Sequence, residues 1–189
     1  MKSVIENSKK IVITGGPATG KTTIIDYLKS KKYTCFEEVI RKLTTEAKMS
    51  GDIIEVHSNP ITLVSDSSKF NQRLLNLRFN DYLTSKKINS SLCFFDRGVL
   101  DVLAYMSYFE QPIKNGFINI CKKCHYDRIF LLPPWESIFI KDDERFETFE
   151  QAIDIYKHLK ETYIKFGYNI IEVPFGSVGK RVEFILSHI

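Results

Sequence analysis

One stretch near the start of the chain has the residue types and spacing of a phosphate-binding loop. An apolar run, residues 11–14, leads into G-x-x-x-x-G-K-T at residues 15–22, and a helix-like segment follows. Glycines let the backbone N–H groups of such a loop turn towards phosphate oxygens, where a Cβ would clash. A helix that begins near Lys21 adds its unpaired first-turn donors and its positive end. The pattern therefore predicts a loop that binds the phosphates of a nucleotide.

The loop side chains have distinct expected roles. Lys21 is expected to reach the β- and γ-phosphates, and the Thr22 hydroxyl is expected to hold Mg²⁺. The alternative, a glycine-rich turn without a ligand, is disfavoured because the pattern lies between an apolar strand and a helix. The predicted nucleotide-binding residues of the loop are Gly15, Gly16, Pro17, Ala18, Thr19, Gly20, Lys21, Thr22 and Thr23.

The composition favours one globular domain over residues 1–189. A hydrophobic share of 43% and an aromatic share of 13% are typical of a chain with a full core. The net charge of +4 suits anionic ligands but is too small to indicate nucleic acid. The first ten residues are polar and no apolar run is long enough to span a membrane, so we expect a cytoplasmic protein. Four cysteines do not indicate a disulfide scaffold.

Apolar segments alternate with helical periods along the chain. This alternation predicts an α/β fold, with a parallel sheet of five strands flanked by helices and joined by right-handed crossovers. Residues 51–67 have no clean period and are predicted to form a loop. The predicted strands are 11–14, 33–36, 91–95, 128–132 and 169–173. The predicted helices are 21–30, 37–50, 68–86, 99–109, 112–123, 148–167 and 177–188.

Ligands of parallel sheets bind beyond the carboxyl ends of the strands, so the segments that follow the strands are candidate site residues. Asp96 ends a buried strand and is expected to bind Mg²⁺. Arg97 can present a planar fork to a phosphate or a sugar hydroxyl. The alternative for both residues is an exposed ion pair at a strand end. The segments on this edge are 15–22, 37–41, 96–97, the residues after Leu132, and 175–177.

Three further polar residues are candidates for binding the substrate. Glu38 and Arg41 are spaced i, i+3 at a helix start, so they share a face and could bind a substrate hydroxyl or accept its proton. The alternative is a carboxylate favoured there by the helix dipole, and Glu37 competes for the same role. Gln72 lies on the predicted helix 68–86, where a solvated face is the favoured alternative.

Two charged or sulfur-containing segments complete the candidates. Residues 141–145 form a dense mixed-charge stretch before a predicted capping box, and an arginine there could close over the γ-phosphate as water is excluded. A solvated loop is the alternative. Cys121 and Cys124 form a single C-x-x-C pair and share one helical face with Ile113 and Phe117, so we expect core residues rather than a metal site.

Taken together, the ordered motifs resemble a known family, the predicted P-loop ATPase/kinase domains related to the nicotinamide riboside kinase portion of bacterial NadR-type regulators. The resemblance covers nearly the whole chain. It is carried by the loop 15–22, E-x-x-R at 38–41, D-R-G at 96–98, D-x-x-R-x-E at 142–147 and the segment 173–181.

The resemblance implies a three-layer P-loop NTPase fold of the nucleoside/nucleotide-kinase type, with a small lid. It implies ATP and Mg²⁺ at Lys21 and Thr22, and Arg145 as the arginine that closes on the phosphates. Ser177 and Arg181 would lie near the adenine. The implied acceptor site comprises Glu38, Arg41, Asp96 and Arg97.

The sequence thus supports a kinase that transfers the γ-phosphoryl group of ATP to a hydroxyl or phosphate of a nucleoside-like small molecule. Lys21, Asp96, Glu38 and Arg145 are the expected catalytic residues. The alternative is a nucleotide-switched ATPase or GTPase module without such an acceptor. A nucleic-acid end kinase would need a basic groove that the net charge does not indicate. A monomer and a homodimer are both compatible with the sequence.

Overall fold

The structure, a computed structural model, describes residues 8–40, 43, 67–139 and 147–189. Within these ranges, strands alternate with helices as predicted. The strands are β1 (Lys9–Gly15), β2 (Thr34–Phe36), β3 (Leu92–Asp96), β4 (Arg128–Leu132) and β5 (Ile170–Glu172). The helices are α1 (Lys21–Ser30), α2 (Ser67–Ser85), α3 (Leu100–Tyr108), α4 (Asn115–Cys121), α5 (Phe149–Lys165) and α6 (Val178–Ser187), with a 3₁₀ turn at Glu136–Ile138.

All five strands belong to one parallel sheet, in the order β2-β3-β1-β4-β5. The central strand β1 pairs with β3 on one side and with β4 on the other, so that Ile13 lies opposite both Asp96 and Phe130. This register brings the start of the glycine-rich loop to the carboxyl ends of β3 and β4. The predicted five-stranded parallel sheet is confirmed.

Helices cover both faces of the sheet and make three layers. Successive residues of β1 point to opposite faces, so Val12 packs in the core with α2, α3 and α5, whereas Ile11 and Ile13 pack with α1 and α6. All three side chains are completely buried. The continuous apolar run of β1 reflects this burial on both faces, since no residue of its centre meets water.

Two local sequence signals produce the predicted structure. Ile24, Ile25 and Leu28 form the buried face of α1. At the start of α5, the Thr148 hydroxyl accepts a hydrogen bond from the Gln151 N–H at 3.2 Å. The Gln151 side-chain oxygen in turn accepts one from the Thr148 N–H at 2.7 Å. This is the predicted capping box, which satisfies N–H groups that a helix start leaves free.

Two predictions about helix faces and ends are wrong. Helix α4 begins at Asn115, after Lys114 in an extended conformation, rather than at residue 112, so Ile113 is 36% exposed. On α2, the apolar spacing predicts that Phe70, Leu74, Leu77 and Leu83 form the buried stripe, but Leu83 is exposed, whereas Arg78 and Tyr82 are buried. The pattern misassigned this end of the face because Arg78 is buried in contact with Glu38, a partner that no periodicity within α2 indicates.

The cysteine prediction is confirmed: Cys121 and Cys124 are both buried in the core. Burial raises the pKa of each thiol to about 12. In the part of the chain that the structure describes, no helix is long and apolar enough to cross a membrane. Apart from a few residues, the predicted helix 37–50 and the predicted loop 51–67 lie outside the described residues.

Gly98, which follows β3, provides a test of the packing between the sheet edge and α5. A Cβ at this position would lie 2.5 Å from the Tyr163 hydroxyl and 3.2 Å from Val12 Cγ2. We therefore expect Gly98→Ala to lower the free energy of unfolding by about 1–3 kcal/mol, measured by urea denaturation. Gly116→Ala is the matched control, because nothing lies within 4 Å of its Cβ position. Equal unfolding midpoints for the two variants would contradict the assigned packing.

Candidate active site

The glycine-rich loop is packed so closely that two of its positions have no room for a side chain. Gly20 has a φ of +83°, which favours glycine, and a Cβ there would lie 2.8 Å from Arg181 Nη1. A Cβ on Gly15 would lie 2.7 Å from the Leu132 carbonyl oxygen. The loop is therefore confined between the end of β4 and helix α6, which positions the residues at the start of α1.

Lys21 is the buried cation of the loop. Its ammonium group donates hydrogen bonds to the Gly16 carbonyl at 2.6 Å and to the Thr19 hydroxyl at 3.3 Å. Burial, with repulsion from Arg97, lowers the pKa of Lys21 to about 7, against the attraction of nearby carboxylates. An anion bound at the loop would favour the charged form of Lys21 and offset this cost.

Asp96 lies at the carboxyl end of β3 and is only 6% exposed. Its Oδ1 has no hydrogen-bond partner among the described residues. Burial, and then the negative charge of Glu38, raise the pKa of Asp96 to about 6, although Lys21 and Arg97 act in the opposite direction. A buried carboxylate oxygen without a partner is costly, so this atom is a candidate for contact with a ligand.

Glu38 is held between two arginines. Its Oε1 accepts a hydrogen bond from Arg78 Nη2 at 2.8 Å, and its Oε2 forms an ion pair with Arg97 Nε. Burial alone would raise the pKa of Glu38, but Arg78 and Arg97 outweigh it and hold the pKa below its usual range. Glu38 is therefore a carboxylate with a fixed orientation.

Arg97 adopts an unusual backbone conformation, with a φ of +73°. A non-glycine residue in this region is strained and persists only where its surroundings hold it. Here Arg97 Nη1 donates to the Gly15 carbonyl at 3.0 Å and lies 3.3 Å from Asp101 Oδ1. The guanidinium group also lies over the ring of Tyr105. These contacts keep Arg97 against the first residue of the loop.

The carboxylate of Asp101, at the start of α3, connects the loop to α5 and is completely buried. It accepts hydrogen bonds from the Thr14 hydroxyl at 2.5 Å, the Gly98 N–H at 3.0 Å and the Tyr163 hydroxyl at 2.6 Å. Together with the contact to Arg97, these bonds satisfy the charge. Asp101 therefore helps to hold the Arg97 side chain in place.

A cavity of about 480 Å³ adjoins the other end of the loop. Trp135, which follows β4, stacks on Phe175 with ring centroids 5.0 Å apart. Arg181 lies 5.7 Å from the Trp135 ring and donates through Nη2 to the Thr19 carbonyl at 3.0 Å. A flat apolar ring system and an arginine beside a phosphate loop suit a nucleobase. The cavity is lined by Ala18, Gly20, Thr23, Trp135, Ile138, Gly176, Ser177, Val178 and Arg181.

The structure brings most of the predicted site residues to this edge of the sheet. Glu38, Asp96 and Arg97 gather around Lys21, and Ser177 and Arg181 line the cavity. Glu37, the competing carboxylate, is exposed and pairs with Lys29 on α1.

One predicted residue, Gln72, is not brought to this cluster. The Gln72 amide donates to Asn76 on its own helix at 3.1 Å, so it follows the surface of α2 rather than reaching Glu38. The solvated alternative therefore describes Gln72 better. Arg41 and Arg145 lie outside the described residues.

Several residues of the site were not assigned a role from the sequence. Trp135 and Phe175 follow β4 and β5, and the strand-end rule already points to their segments. Asp101 lies four residues beyond Arg97, but Arg97 precedes α3 and has a left-handed backbone, so helical spacing gives no signal for their contact. Arg78 is missed because its neighbours on α2 give no sign that this face meets a carboxylate.

The residues present fit a magnesium ion that is shared with phosphate groups. The Thr22 side chain is exposed at the start of α1, and Asp96 offers its unpartnered oxygen. The described residues contain no cluster of three His, Cys, Asp or Glu side chains that could hold a metal by themselves. Mg²⁺ is commonly held by one or two protein oxygens, water and substrate phosphates, and this donor set matches that pattern.

The loop, its buried lysine and the carboxylate at the end of β3 define a P-loop nucleotide-binding domain. The chain belongs to the AAA domain family, whose sequence profile matches residues 10–181. No curated protein matches the chain in sequence.

Solved structures of similar fold are nucleoside- and nucleotide-kinase-like. A NadR protein in complex with NAD and AMP-PNP has a TM-score of 0.69 at 18% identity; the match covers 96% of this chain and 48% of NadR, so the chain spans about half of that protein. Deoxyadenosine kinase from M. mycoides has a TM-score of 0.65 at 18% identity, covering 95% and 97% of the two chains. Thymidylate kinase from Candida albicans has a TM-score of 0.66 at 15% identity, covering 96% and 91%. The fold is therefore that of a P-loop kinase.

The charge of Asp96 should make the protein less stable at pH 6 and above than at pH 4. Its pKa is about 6 in the folded chain against an ordinary 3.8, so the folded state binds this proton more tightly. The free energy of unfolding then falls as pH rises from about 4 to about 6. We expect Asp96→Asn to be more stable than the wild type by up to about 3 kcal/mol at pH 8, with little difference at pH 4.

Denaturant titrations at the two pH values measure this difference. Asp154→Asn is the matched control, since Asp154 is exposed and pairs with Lys157 at 2.9 Å on the surface of α5. We expect the control to stay within about 0.5 kcal/mol of the wild type. If Asp96→Asn raised the free energy of unfolding by the same amount at both pH values, the charge of Asp96 would not be the cause of the change.

Proposed function

We propose that the chain is an ATP-dependent small-molecule kinase with a nucleoside-like acceptor. The observation that supports this proposal is that the glycine-rich loop borders two different environments, an aromatic cavity on one side and a buried cluster of charged side chains on the other. The aromatic cavity adjoins Ala18, Gly20 and Thr23, whereas the charged cluster adjoins Gly15 and Lys21. A protein that only binds a nucleotide has no evident need for the second, buried charged cluster.

The donor nucleotide would lie across the loop. Its base would occupy the cavity beside Trp135 and Arg181, and its phosphates would meet the loop N–H groups and Lys21. The similarity in fold to a NadR protein in complex with AMP-PNP, an ATP analogue, supports a nucleotide in this position. The family assignment to an AAA domain is also in accord with ATP.

The charged residues would act mainly by positioning and by stabilising charge. Lys21 would neutralise charge on the transferring phosphoryl group, and Arg145 would close over it. Thr22 and Asp96 would hold Mg²⁺, which would screen the phosphate oxygens when bound. Glu38, oriented by Arg78 and Arg97, would face the acceptor. In phosphoryl transfer the protein takes little part in the covalent chemistry, so its main contribution is to hold the donor, the acceptor and the charged side chains in a fixed arrangement.

The kinase function is tested with a panel of nucleosides, nucleotides and vitamins, each incubated with ATP and Mg²⁺ in a coupled assay for ADP. We expect turnover with at least one acceptor. Lys21→Met should lower kcat about 100-fold or more, because it removes the cation beside the transferring group. Hydrolysis of ATP at the same rate with and without every acceptor would instead support the nucleotide-switched ATPase. No turnover above the Lys21→Met background would contradict both functions.

Donor binding can be measured separately, because Trp135 is the chain's single tryptophan. We expect ATP to change its fluorescence with saturation, since the base would lie against the indole. Trp135→Ala should weaken binding of a fluorescent ATP analogue about tenfold, through loss of the stacking surface. Ile164→Ala is the control, an exposed apolar residue on α5. If both variants bind the analogue like the wild type, the base does not occupy this cavity.

A further inference from the structure

The surface charge of the protein differs between the two edges of its sheet. The candidate site lies at the carboxyl edge, where the strands end, and the opposite edge, where the strands begin, is called the amino edge. A lysine or arginine begins each strand, lies in the turn before it, or ends the helix that precedes it. The exposed cations of the amino edge are Lys9, Lys31, Lys32, Lys86, Lys87, Lys122, Lys123, Arg128 and Lys165.

The segments that carry these cations are fixed side by side. The Lys9 N–H donates to the Ser91 carbonyl at 2.9 Å, which joins the turn before β3 to β1. The Asp127 N–H donates to the Lys10 carbonyl at 2.8 Å, which joins the turn before β4 to the other side of β1. Strands lie about 4.8 Å apart, so the five strands of the sheet span about 19 Å. The cations therefore form one continuous band along the amino edge.

The positive charge of this band is not neutralised within the described residues. Asp127 is the acidic residue of the described segments along this edge, and its carboxylate accepts a hydrogen bond from the Lys10 N–H at 2.7 Å. None of the exposed cations belongs to an ion pair of the described residues. The surplus of positive charge at this edge exceeds the net charge of the chain, +4, so the rest of the chain is net negative.

Helix dipoles account for only part of this band. A cation near the carboxyl end of a helix is favoured by the dipole. At the ends of α1, α2 and α4, however, the lysines come in pairs. Lys9 and Arg128 begin strands, where no helix end favours them. A concentration of one sign of charge on one side of a protein raises the local concentration of an oppositely charged partner.

We infer that the amino edge binds the anionic lipid surface of a membrane. With the exception of Arg128 its exposed cations are lysines, which bind as hydrated point charges, whereas arginine forks suit the phosphates of nucleic acids. Ile164, beside Lys165 in the last turn of α5, is 54% exposed. Apolar side chains next to basic residues enter the boundary between lipid headgroups and acyl chains. In this orientation the candidate site faces away from the membrane and stays open to its ligands.

Sedimentation of the full chain with lipid vesicles tests the inference. The vesicles contain phosphatidylcholine alone or with about 30% phosphatidylserine. At about 0.1 M salt we expect binding to the anionic vesicles to be at least about 100-fold stronger than to the neutral ones, because several lysines act together. Raising the salt to about 0.5 M should weaken it at least about tenfold. Equal binding to the two kinds of vesicle overturns the inference.

A variant with four neutralised lysines tests the assigned surface. Two pairs are chosen because the His125 N–H, beside one pair, donates to the Tyr82 hydroxyl, close to the other pair, at 3.0 Å. The variant carries Lys→Gln at Lys86, Lys87, Lys122 and Lys123. The control changes the net charge equally at four exposed lysines away from the amino edge: Lys69, Lys114, Lys157 and Lys180. We expect binding to anionic vesicles to fall about 100-fold in the variant and by no more than about threefold in the control. An equal fall in both overturns the assignment.

Two further measurements separate a membrane from other partners and fix the orientation. Trp135 follows β4 at the carboxyl edge, so spin labels on the lipid headgroups should leave its fluorescence unchanged when the protein binds. Strong quenching overturns the orientation. A single-stranded RNA that binds more tightly per phosphate than the vesicles at the same salt concentration assigns the amino edge to nucleic acid, and overturns the inference. Neither result bears on the proposed kinase function.

Discussion

The buried carboxylate of Asp101 is the point on which the site depends. It joins the end of β1 through Thr14, the turn after β3 through Gly98, and α5 through Tyr163. Burying a charge is costly unless it is paired and fully hydrogen-bonded, and Asp101 meets both conditions with Arg97 beside it. Because this one group holds three segments together, the loop and the strained Arg97 backbone keep a fixed relation to the sheet.

The site also contains two buried charged groups whose burial lowers the stability of the fold. Lys21 and Asp96 are both buried, and burial moves the pKa of each towards its neutral form. Perturbed groups that meet in one cleft are typical of functional sites, where stability is given up locally. Phosphate beside Lys21 and a cation beside Asp96 would each favour the charged form again, so ligand binding and stability would be linked through these two residues.

Most of the fold could be predicted from local patterns. The five strands, their parallel arrangement and the capping box at Thr148 follow from apolar runs and from one four-residue signal. Prediction failed where a neighbour distant in the chain decides the environment. Leu83 is exposed and Arg78 is buried on the same helix, because the buried face of α2 includes a contact with Glu38. No periodicity within α2 carries that information.

In the candidate site, too, some residues are predictable from local sequence and others only from how distant elements pack. The sequence by itself determined the phosphate-binding loop with Lys21, and the strand-end residues Asp96 and Arg97, because these depend on spacing along a few adjacent residues and on one rule for parallel sheets. Only the tertiary structure decided that Arg78 orients Glu38 and that Trp135 stacks on Phe175. Each of these pairs is 40 residues apart in the chain, so the contact depends on how separate elements pack against the sheet.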